Sequence, residues 1–269
     1  MARSLTGIGI APGAEAGFPA ERSRRMLIPV LSVLLLFGLW YLAALLAADP
    51  QLMPGPAAVI GRMLREAGSG ELFYHLGTTL ARVAASFVIA MLVGTALGLL
   101  MGRRRLADEL GGPWLVFFLN LPALVTIVLA YIWIGLVESA AILAVALNKM
   151  PNVTVTVREG ARALDSGLSE MAAVFEVPFG RRLRHILLPQ LYPYLAAAAR
   201  SGLALIWKIV LVVELLGRSN GVGFQIAIFF QFFDVAGILA YALAFILVVQ
   251  AIEWGLLQPL ERRLTQWRR

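Results

Sequence analysis

Long apolar runs, separated by short stretches that carry prolines and arginines, set the pattern of this chain. A membrane-crossing helix needs about 20 mostly apolar residues. Six stretches fit: 26–48, 78–101, 114–136, 140–157, 191–216 and 235–257. The first is uncharged and stops at Asp49-Pro50, while the second carries Arg82 near its start. The third contains Pro122, and the fourth is interrupted by Asn148, Lys149, Pro151 and Asn152. Arg200, Lys208 and Glu214 lie in the fifth, and Glu253 lies near the end of the sixth. The first run exceeds the roughly 7–15 apolar residues of a cleaved signal segment, so it is expected to stay as a span. A seventh apolar run, VGFQIAIFFQFF at 222–233, is too short to cross and predicts an interfacial or re-entrant helix on the outer face. The pattern therefore predicts an all-α integral membrane protein with six transmembrane helices.

Composition removes the soluble alternative. The chain is 60% hydrophobic and 14% charged, with a mean hydropathy of +0.82. Soluble domains carry roughly 45–50% apolar and about 25% charged residues. The absence of cysteine excludes a disulfide scaffold, a cysteine nucleophile and thiolate metal sites. The net charge of +7 invites a nucleic-acid reading, so the placement of the arginines decides. Arg22, Arg24 and Arg25 precede the first span, and Arg103, Arg104 and Arg105 follow the second. Arg158, Arg162, Arg181, Arg182 and Arg184 lie between the fourth and fifth, and Arg262, Arg263, Arg268 and Arg269 follow the sixth. Only Arg62, Arg65 and Arg218 fall on the other side. This is the positive-inside distribution, and it places both termini in the cytoplasm, N-in and C-in. Topology alone thus accounts for the basic charge, and no nucleic-acid partner is expected.

The organisation that follows is a cytoplasmic tail (1–25), a first transmembrane helix (26–48), an outer segment (49–77) and a membrane core (78–269). In the outer segment, Pro56 can open a short helix that Val59, Ile60, Met63 and Leu64 make amphipathic. No internal repeat is visible, so the inverted repeats of many secondary transporters find no support. The longest cytoplasmic loop, 158–189, holds two short helix-like stretches. Ser169 is expected to cap the first, with Glu170 in its opening turn. Pro178-Phe179-Gly180 breaks the run before a basic stretch of Arg181, Arg182, Arg184 and His185. Pattern alone leaves two readings open. The loop is either a helical knob that docks in a partner's groove or an ordinary connection whose arginines set topology.

At these residues the chain resembles a known family. Glu170–Pro189, EMAAVFEVPFGRRLRHILLP, is similar to the "EAA" loop of ATP-binding-cassette (ABC) importer permeases. Glu170, Ala172, Ile186, Leu188 and Pro189 stand at that loop's positions, Met171 replaces its first Ala, and Glu176 occupies the place of its Gly. That Gly ordinarily allows the turn between two short helices, so Gly180 and Pro178 are expected to move the turn onward, and Glu176 to pair with Arg181 or with the partner. The resemblance extends over roughly residues 50–269, through Met53-Pro54-Gly55-Pro56, Trp207, Glu214, the Gly221-Val222-Gly223-Phe224 turn, Asp234 and the closing Glu261-Arg262-Arg263-Leu264. Together these look like permeases for nitrate, sulfonates, taurine and related small solutes. The resemblance implies a type I ABC importer permease fold in a bacterial inner membrane, with the outer segment periplasmic. It also implies a second permease copy, two ATP-binding subunits docked through Glu170, Ala172, Glu176, Gly180, Arg181, Ile186, Leu188 and Pro189, and an extracytoplasmic solute-binding protein. No cofactor is expected in this chain, with ATP and Mg bound by the partner ATPase. In agreement, the only two lysines, Lys149 and Lys208, follow Asn and Trp, so no phosphate-binding G-x-x-x-x-G-K-[ST] loop is present.

Ionisable residues at a span centre cost about 2.5–3.5 kcal/mol on insertion scales, so each requires a reason. Lys208 and Glu214, six residues apart, are offset by about 120° around a helix and do not pair within it. Arg200 and Lys208, eight apart, are offset by about 80°, so one broad face can carry both and suits an anion. Lys208, Trp207, Glu214 and Arg200 are therefore candidates to line a solute path. The competing reading has them pair with Glu138, Asn148 or Asn152 across the bundle, with Arg200 snorkelling. Arg82 reads as structural. No catalytic constellation or metal set appears: His75 is expected outside and His185 inside, and neither H-E-x-x-H nor G-x-S-x-G occurs. A secondary transporter or channel not driven by ATP is the rival reading, and it leaves the cytoplasmic loop unexplained.

Overall fold

The computed structural model describes residues 19–259. Among the described residues every regular element is helical. The chain divides into two compact units, Met1–Pro56 and Ala57–Arg269, and each is described by itself.

In the first unit, α1 runs from Pro19 to Ala47. It ends because Ala48 takes a left-handed conformation (φ 51°) and the Asp49 side chain accepts the Gln51 N–H at 2.9 Å, a local turn that competes with helix. Trp40 Nε1 donates to the Pro54 carbonyl at 3.1 Å, folding the extended proline segment back along the helix.

The second unit opens with the short amphipathic α2 (Pro56–Ser69). Next come α3 (Glu71–Arg103), α4 (Arg105–Asn120), α5 (Ala123–Ile134) and α6 (Glu138–Arg162). The loop helices α7 (Ser166–Val174) and α8 (Phe179–Arg182) follow, then a π-turn at Leu183–Leu187, α9 (Leu188–Gly217), α10 (Val222–Gln231) and α11 (Val235–Ile252), with a second π-turn at Glu253–Leu257. Among the described residues five helices are long and apolar enough to cross a membrane, and the α4–α5 pair makes a sixth if counted as one bent span.

That pair departs from the sequence expectation of one straight span at 114–136. α4 and α5 meet at 99°, around Leu121 and Pro122, both extended (ψ 122° and 134°). Proline has no N–H to continue the ladder and forces its predecessor out of the helical region, so the chain turns here. Pro151 and Pro193, by contrast, sit inside α6 and α9 without ending them. The π-turn before α9 falls where Pro189 removes the regular i→i−4 donor, and Leu188 N–H instead reaches the Leu183 carbonyl.

The core is built on α3, α6 and α9. α3 carries Gly94, Gly98 and Gly102, one per turn on one face, and α6 lies directly against them. A Cβ on Gly94 would stand 2.7 Å from Val153 Cβ, one on Gly98 2.7 Å from the Thr154 carbonyl oxygen, and one on Gly102 2.8 Å from the Arg158 carbonyl oxygen. Small residues at this spacing let two backbones approach in lipid, where packing rather than water exclusion drives association. On the next face, α6 meets α9, and Ile206, Val210 and Val213 of α9 pack with Ala140, Ala144 and Val145 of α6. α10 and α11 close the outer side of this core through Val222, Phe229 and Tyr241.

This packing predicts an asymmetry along α3. Gly98→Ala should cost about 1–3 kcal/mol by overpacking. Gly77→Ala, where nothing lies within 4 Å of the new methyl, should be neutral or slightly stabilising through helix propensity. Thermal unfolding in mild detergent reads both, and equal tolerance of the two would remove the glycine face as the basis of α3–α6 packing.

Candidate functional site

Two regions concentrate chemistry: a knob at the cytoplasmic end and a buried charge cluster at the outer end.

The cytoplasmic knob starts later than the boundary at 158, because α6 continues to Arg162. Arg158 and Arg162 are spent locally. Both pair with Asp108 at the start of α4, Arg158 at 3.3 Å, and both pair with Glu159. The first loop helix is capped by Asp165 rather than by Ser169, which lies inside it. Asp165 Oδ1 accepts the Gly167 and Leu168 N–H groups at 2.7 and 3.4 Å, and an aspartate just before the helix satisfies orphan donors in the same way the serine was expected to. The Asp165 N–H in turn reaches Gln190 Oε1 at 2.9 Å, tying the start of the loop to the start of α9.

α7 ends in a Schellman turn. Val177 N–H bonds the Ala172 carbonyl at 2.9 Å and Glu176 N–H bonds the Ala173 carbonyl at 3.1 Å. Glu176 is the left-handed residue, with φ 50°. The turn has therefore not moved on to Pro178 and Gly180. It stays at Glu176 although glycine is the residue that accepts this conformation without steric cost. The Glu176 side chain is exposed, and among the described residues it forms no ion pair with Arg181.

The remaining loop positions sort by face. Ala172 and Leu187 are buried, Ile186 and Pro189 are half-buried, and Glu170, Gly180, Arg181, Arg184, His185 and Leu188 are exposed. Leu168, Met171, Val174 and Phe175, spaced along one side of α7, point away from the protein, with Val174 and Phe175 79% and 74% exposed. In lipid such exposure is ordinary. On a loop that the arginine distribution places in the cytoplasm, this apolar stripe beside Glu170 is left uncovered by the described residues.

The outer cluster is centred on Arg82, which is 3% exposed in α3. Its Nε and Nη2 hold both oxygens of Glu138, at 2.5 and 3.0 Å, where α6 begins. Nη1 donates to Glu214 Oε1 at 2.6 Å and to the Asn220 carbonyl at 2.9 Å, and Nη2 also donates to Asn220 Oδ1. All five guanidinium N–H groups are thus used. Glu214 is fully buried. Its second oxygen accepts from Thr79 Oγ1 at 2.9 Å and from Gly223 N–H at 2.8 Å. Thr79 Oγ1 accepts the Val222 N–H at 2.9 Å and His75 Nδ1 accepts the Gly221 N–H at 3.0 Å, so the first turn of α10 is held entirely by α3 and α9. Arg218 closes the set, bonding Glu138 at 2.8 Å and the Leu136 carbonyl at 2.7 Å.

Glu138 and Glu214 therefore pair with Arg82 rather than with Lys208. Arg82 is structural, as expected from the sequence, but sequence reasoning named none of its partners and so missed this cluster. A signal was present: His75, Thr79, Arg82 and Ser86 recur at i, i+4, i+7 and i+11, a polar stripe on one face of an otherwise apolar helix, and all four are buried.

The other candidates scatter. Arg200 and Lys208 are both exposed on α9, and Lys208 makes no ion pair among the described residues. Trp207 lies in the core with its ring edge-on to Phe245, centroids 5.9 Å apart. Lys149, read from the sequence only as an interruption of the fourth span, is 2% exposed, the most buried cation among the described residues. Among the described residues no group of three or more His, Cys, Asp or Glu could hold a metal. The expected closing motif at 261–264 lies outside the described residues.

Breaking one partner of a buried pair leaves an uncompensated charge and costs about 3–5 kcal/mol. Arg82→Met should therefore destabilise strongly in detergent melting. Arg82→Met combined with Glu214→Gln should recover part of the loss, because Glu138 keeps Arg218. Simple additivity of the two single losses would show that they do not act as a pair.

Comparison with known proteins places this geometry. The chain matches the family described as binding-protein-dependent transport system inner membrane component over residues 90–257. A probable ABC transporter permease of Brucella melitensis is 30% identical over 238 residues, covering 88% of this chain and 96% of the relative. An aliphatic sulfonates transport permease of Bacillus subtilis is 30% identical over 220 residues (80% of this chain, 78% of the relative). The taurine transport system permease of Escherichia coli is 26% identical over 255 residues (93% and 92%). Among solved structures, an amino acid ABC transporter superposes with a TM-score of 0.59 at 19% identity, over 73% of this chain and 95% of that one. An inward-facing methionine ABC transporter gives 0.58 at 19% identity, over 70% and 93%. At that identity the structures show a shared fold. The sequence matches go further, and with them this chain belongs to the inner-membrane components of binding-protein-dependent transport systems, as an ABC importer permease.

Proposed function

We propose that two copies of this chain form the solute path of an ATP-driven importer for small organic anions, each copy coupled to one ATPase subunit through α7. The observation that carries this reading is the apolar stripe of Leu168, Met171, Val174 and Phe175 beside Glu170, mounted at the base of the helix that carries Lys208 and Glu214. From Gly180 to Gly217 the chain is continuous helix for 38 residues, about 57 Å at 1.5 Å per residue. A displacement of the knob is therefore delivered along one rigid element to the outer end of the membrane core. The Asp165 N–H bonds Gln190 Oε1 near the start of α9, tying the start of the knob to that element.

On this reading ATP and Mg²⁺ belong to the ATPase subunits. When these close on ATP they draw the two knobs together, the paired helices open the central path outward to a solute-loaded binding protein, and hydrolysis returns the path to the inside. Arg200 and Lys208, exposed on α9, supply positive charge along that path, with Trp207 and Glu214 packed behind them. The names of the sulfonate and taurine relatives support an acidic solute.

Two substitutions test the coupling in the reconstituted transporter. Glu170→Lys together with Phe175→Ser should abolish ATP-dependent uptake while permease dimers still assemble, because the docking charge and the apolar contact are both lost. Wild-type ATP-dependent uptake by that double variant would remove α7 as the docking element, and purification of the permease without ATP-binding subunits from membranes that contain them would favour transport not driven by ATP. Glu176→Gly should keep coupling and raise stability by about 1–2 kcal/mol, since glycine takes the left-handed turn without the side-chain penalty. A lower melting temperature in that variant would mean that the Glu176 carboxylate has a stabilising partner.

A further inference from the structure

Lys149 is a buried cation with no counter-charge among the described residues. It is 2% exposed and makes no hydrogen bond or ion pair among the described residues. Its side chain lies between three helices: a Cβ on Gly202 of α9 would stand 3.1 Å from Lys149 Cε and 3.7 Å from Phe87 Cε2 of α3. The level of this contact is informative. Phe87 is the central residue of α3, Lys149 is one residue from the centre of α6, and Gly202 is at the centre of α9. The ammonium group is therefore near the bilayer midplane, where a charge is most costly and where transport proteins place their solute sites.

Nothing among the described residues balances it. The acidic residues of the surrounding helices all lie near helix ends. Glu138 and Glu159 on α6 are 11 and 10 residues from Lys149, about 15 Å along the axis. Each is already held, Glu138 by Arg82 and Arg218, Glu159 by Arg158 and Arg162. Glu214 is enclosed by Arg82, Thr79 and Gly223. Among the described residues the cation is thus left for a negative charge from outside the chain.

We propose that Lys149 is the cation that receives the acid group of the transported solute at the bilayer midplane, the solute being a small organic anion of the sulfonate or carboxylate class. The proposal rests on the importer reading above and names a binding residue within it. Gly202 provides the space: with no Cβ opposite, the lysine side chain can lie between α3 and α9 when the path is closed and extend when the helices part.

The chain has only two lysines, so mass spectrometry can follow Lys149 separately in the whole transporter during reductive methylation with formaldehyde. Lys149 should be modified in one of the nucleotide-free and vanadate-trapped states at least about tenfold faster than in the other. Saturating ethanesulfonate or propionate should slow that modification severalfold. In proteoliposomes, Lys149→Met should lower ATP-dependent uptake of ethanesulfonate by about tenfold or more, the loss expected for a charge-assisted hydrogen bond, with Lys149→Arg intermediate. Absence of modification in both states, modification that neither anion slows, or wild-type uptake by Lys149→Met would each overturn the proposal. If the wild-type transporter shows no ATP-dependent uptake, the importer reading fails, and the modification pattern still decides whether Lys149 meets an anion.

Discussion

Hydrocarbon offers no water to a buried polar group, so every donor taken into the membrane must find its acceptor within the protein. Arg82 is where this constraint organises the molecule. Its guanidinium cannot shed its charge, and its five N–H groups reach the start of α6, the outer part of α9 and the turn before α10. Satisfying one side chain thus fixes the outer ends of three helices relative to α3. Glu214, which answers that charge, has a second oxygen left over and uses it to hold the first turn of α10. α10 is too short to cross the membrane and needs such an anchor. The cluster is neutral, two arginines against two glutamates, so its net contribution lies in specifying geometry more than in stability.

The two kinds of basic residue divide the work. Of 23 basic residues only two are lysine, and both lie within spans. Arginine is used where several fixed acceptors must be gripped at once, as at Arg82, or where orientation in the membrane is set. Lysine presents a compact charge on a flexible stem. That chemistry suits a ligand that comes and goes, and it is poorly suited to holding helices together. Lys208 faces outward from α9 and Lys149 faces inward from α6, and among the described residues no carboxylate pairs with either.

Much of this was legible in the sequence. Long apolar runs and the arginine asymmetry yield the spans and their orientation because those signals are set by length and count, not by tertiary partners. The loop at 170–189 was legible because its spacing is a local property. What stayed hidden depends on partners distant in sequence. Arg82 lies 132 residues from Glu214, and no local pattern announces that contact, though the stripe of His75, Thr79 and Ser86 on the same face pointed inward. The break at Leu121-Pro122 was hidden for a different reason: prolines at 151 and 193 are absorbed into continuous helices, so proline alone does not say which helix will fold back. Glu176 shows the reverse case, in which the chain keeps a turn after replacing the residue that makes it easy, because the Ala172 and Ala173 carbonyls still need donors at the end of α7.

These elements make a mechanical unit. The knob is fixed to α9 by Asp165 and Gln190, α9 is fixed to α3 by Arg82 and Glu214, and α3 is fixed to α6 by backbones in near contact at three glycines. The α9–α3 joint is buried and the α3–α6 joint is close-packed, while the knob is tied to α9 by one exposed hydrogen bond to Gln190. The two ends of the core are thus held, and between them Lys149 sits where Gly202 leaves α9 without a Cβ against it. Relative motion is then left to that level and to the faces of α9 and α6 that carry Lys208 and Asn152, which are exposed in this chain. A transporter that must open to one side and then the other needs such a division, with stiffness inside each half and freedom between them.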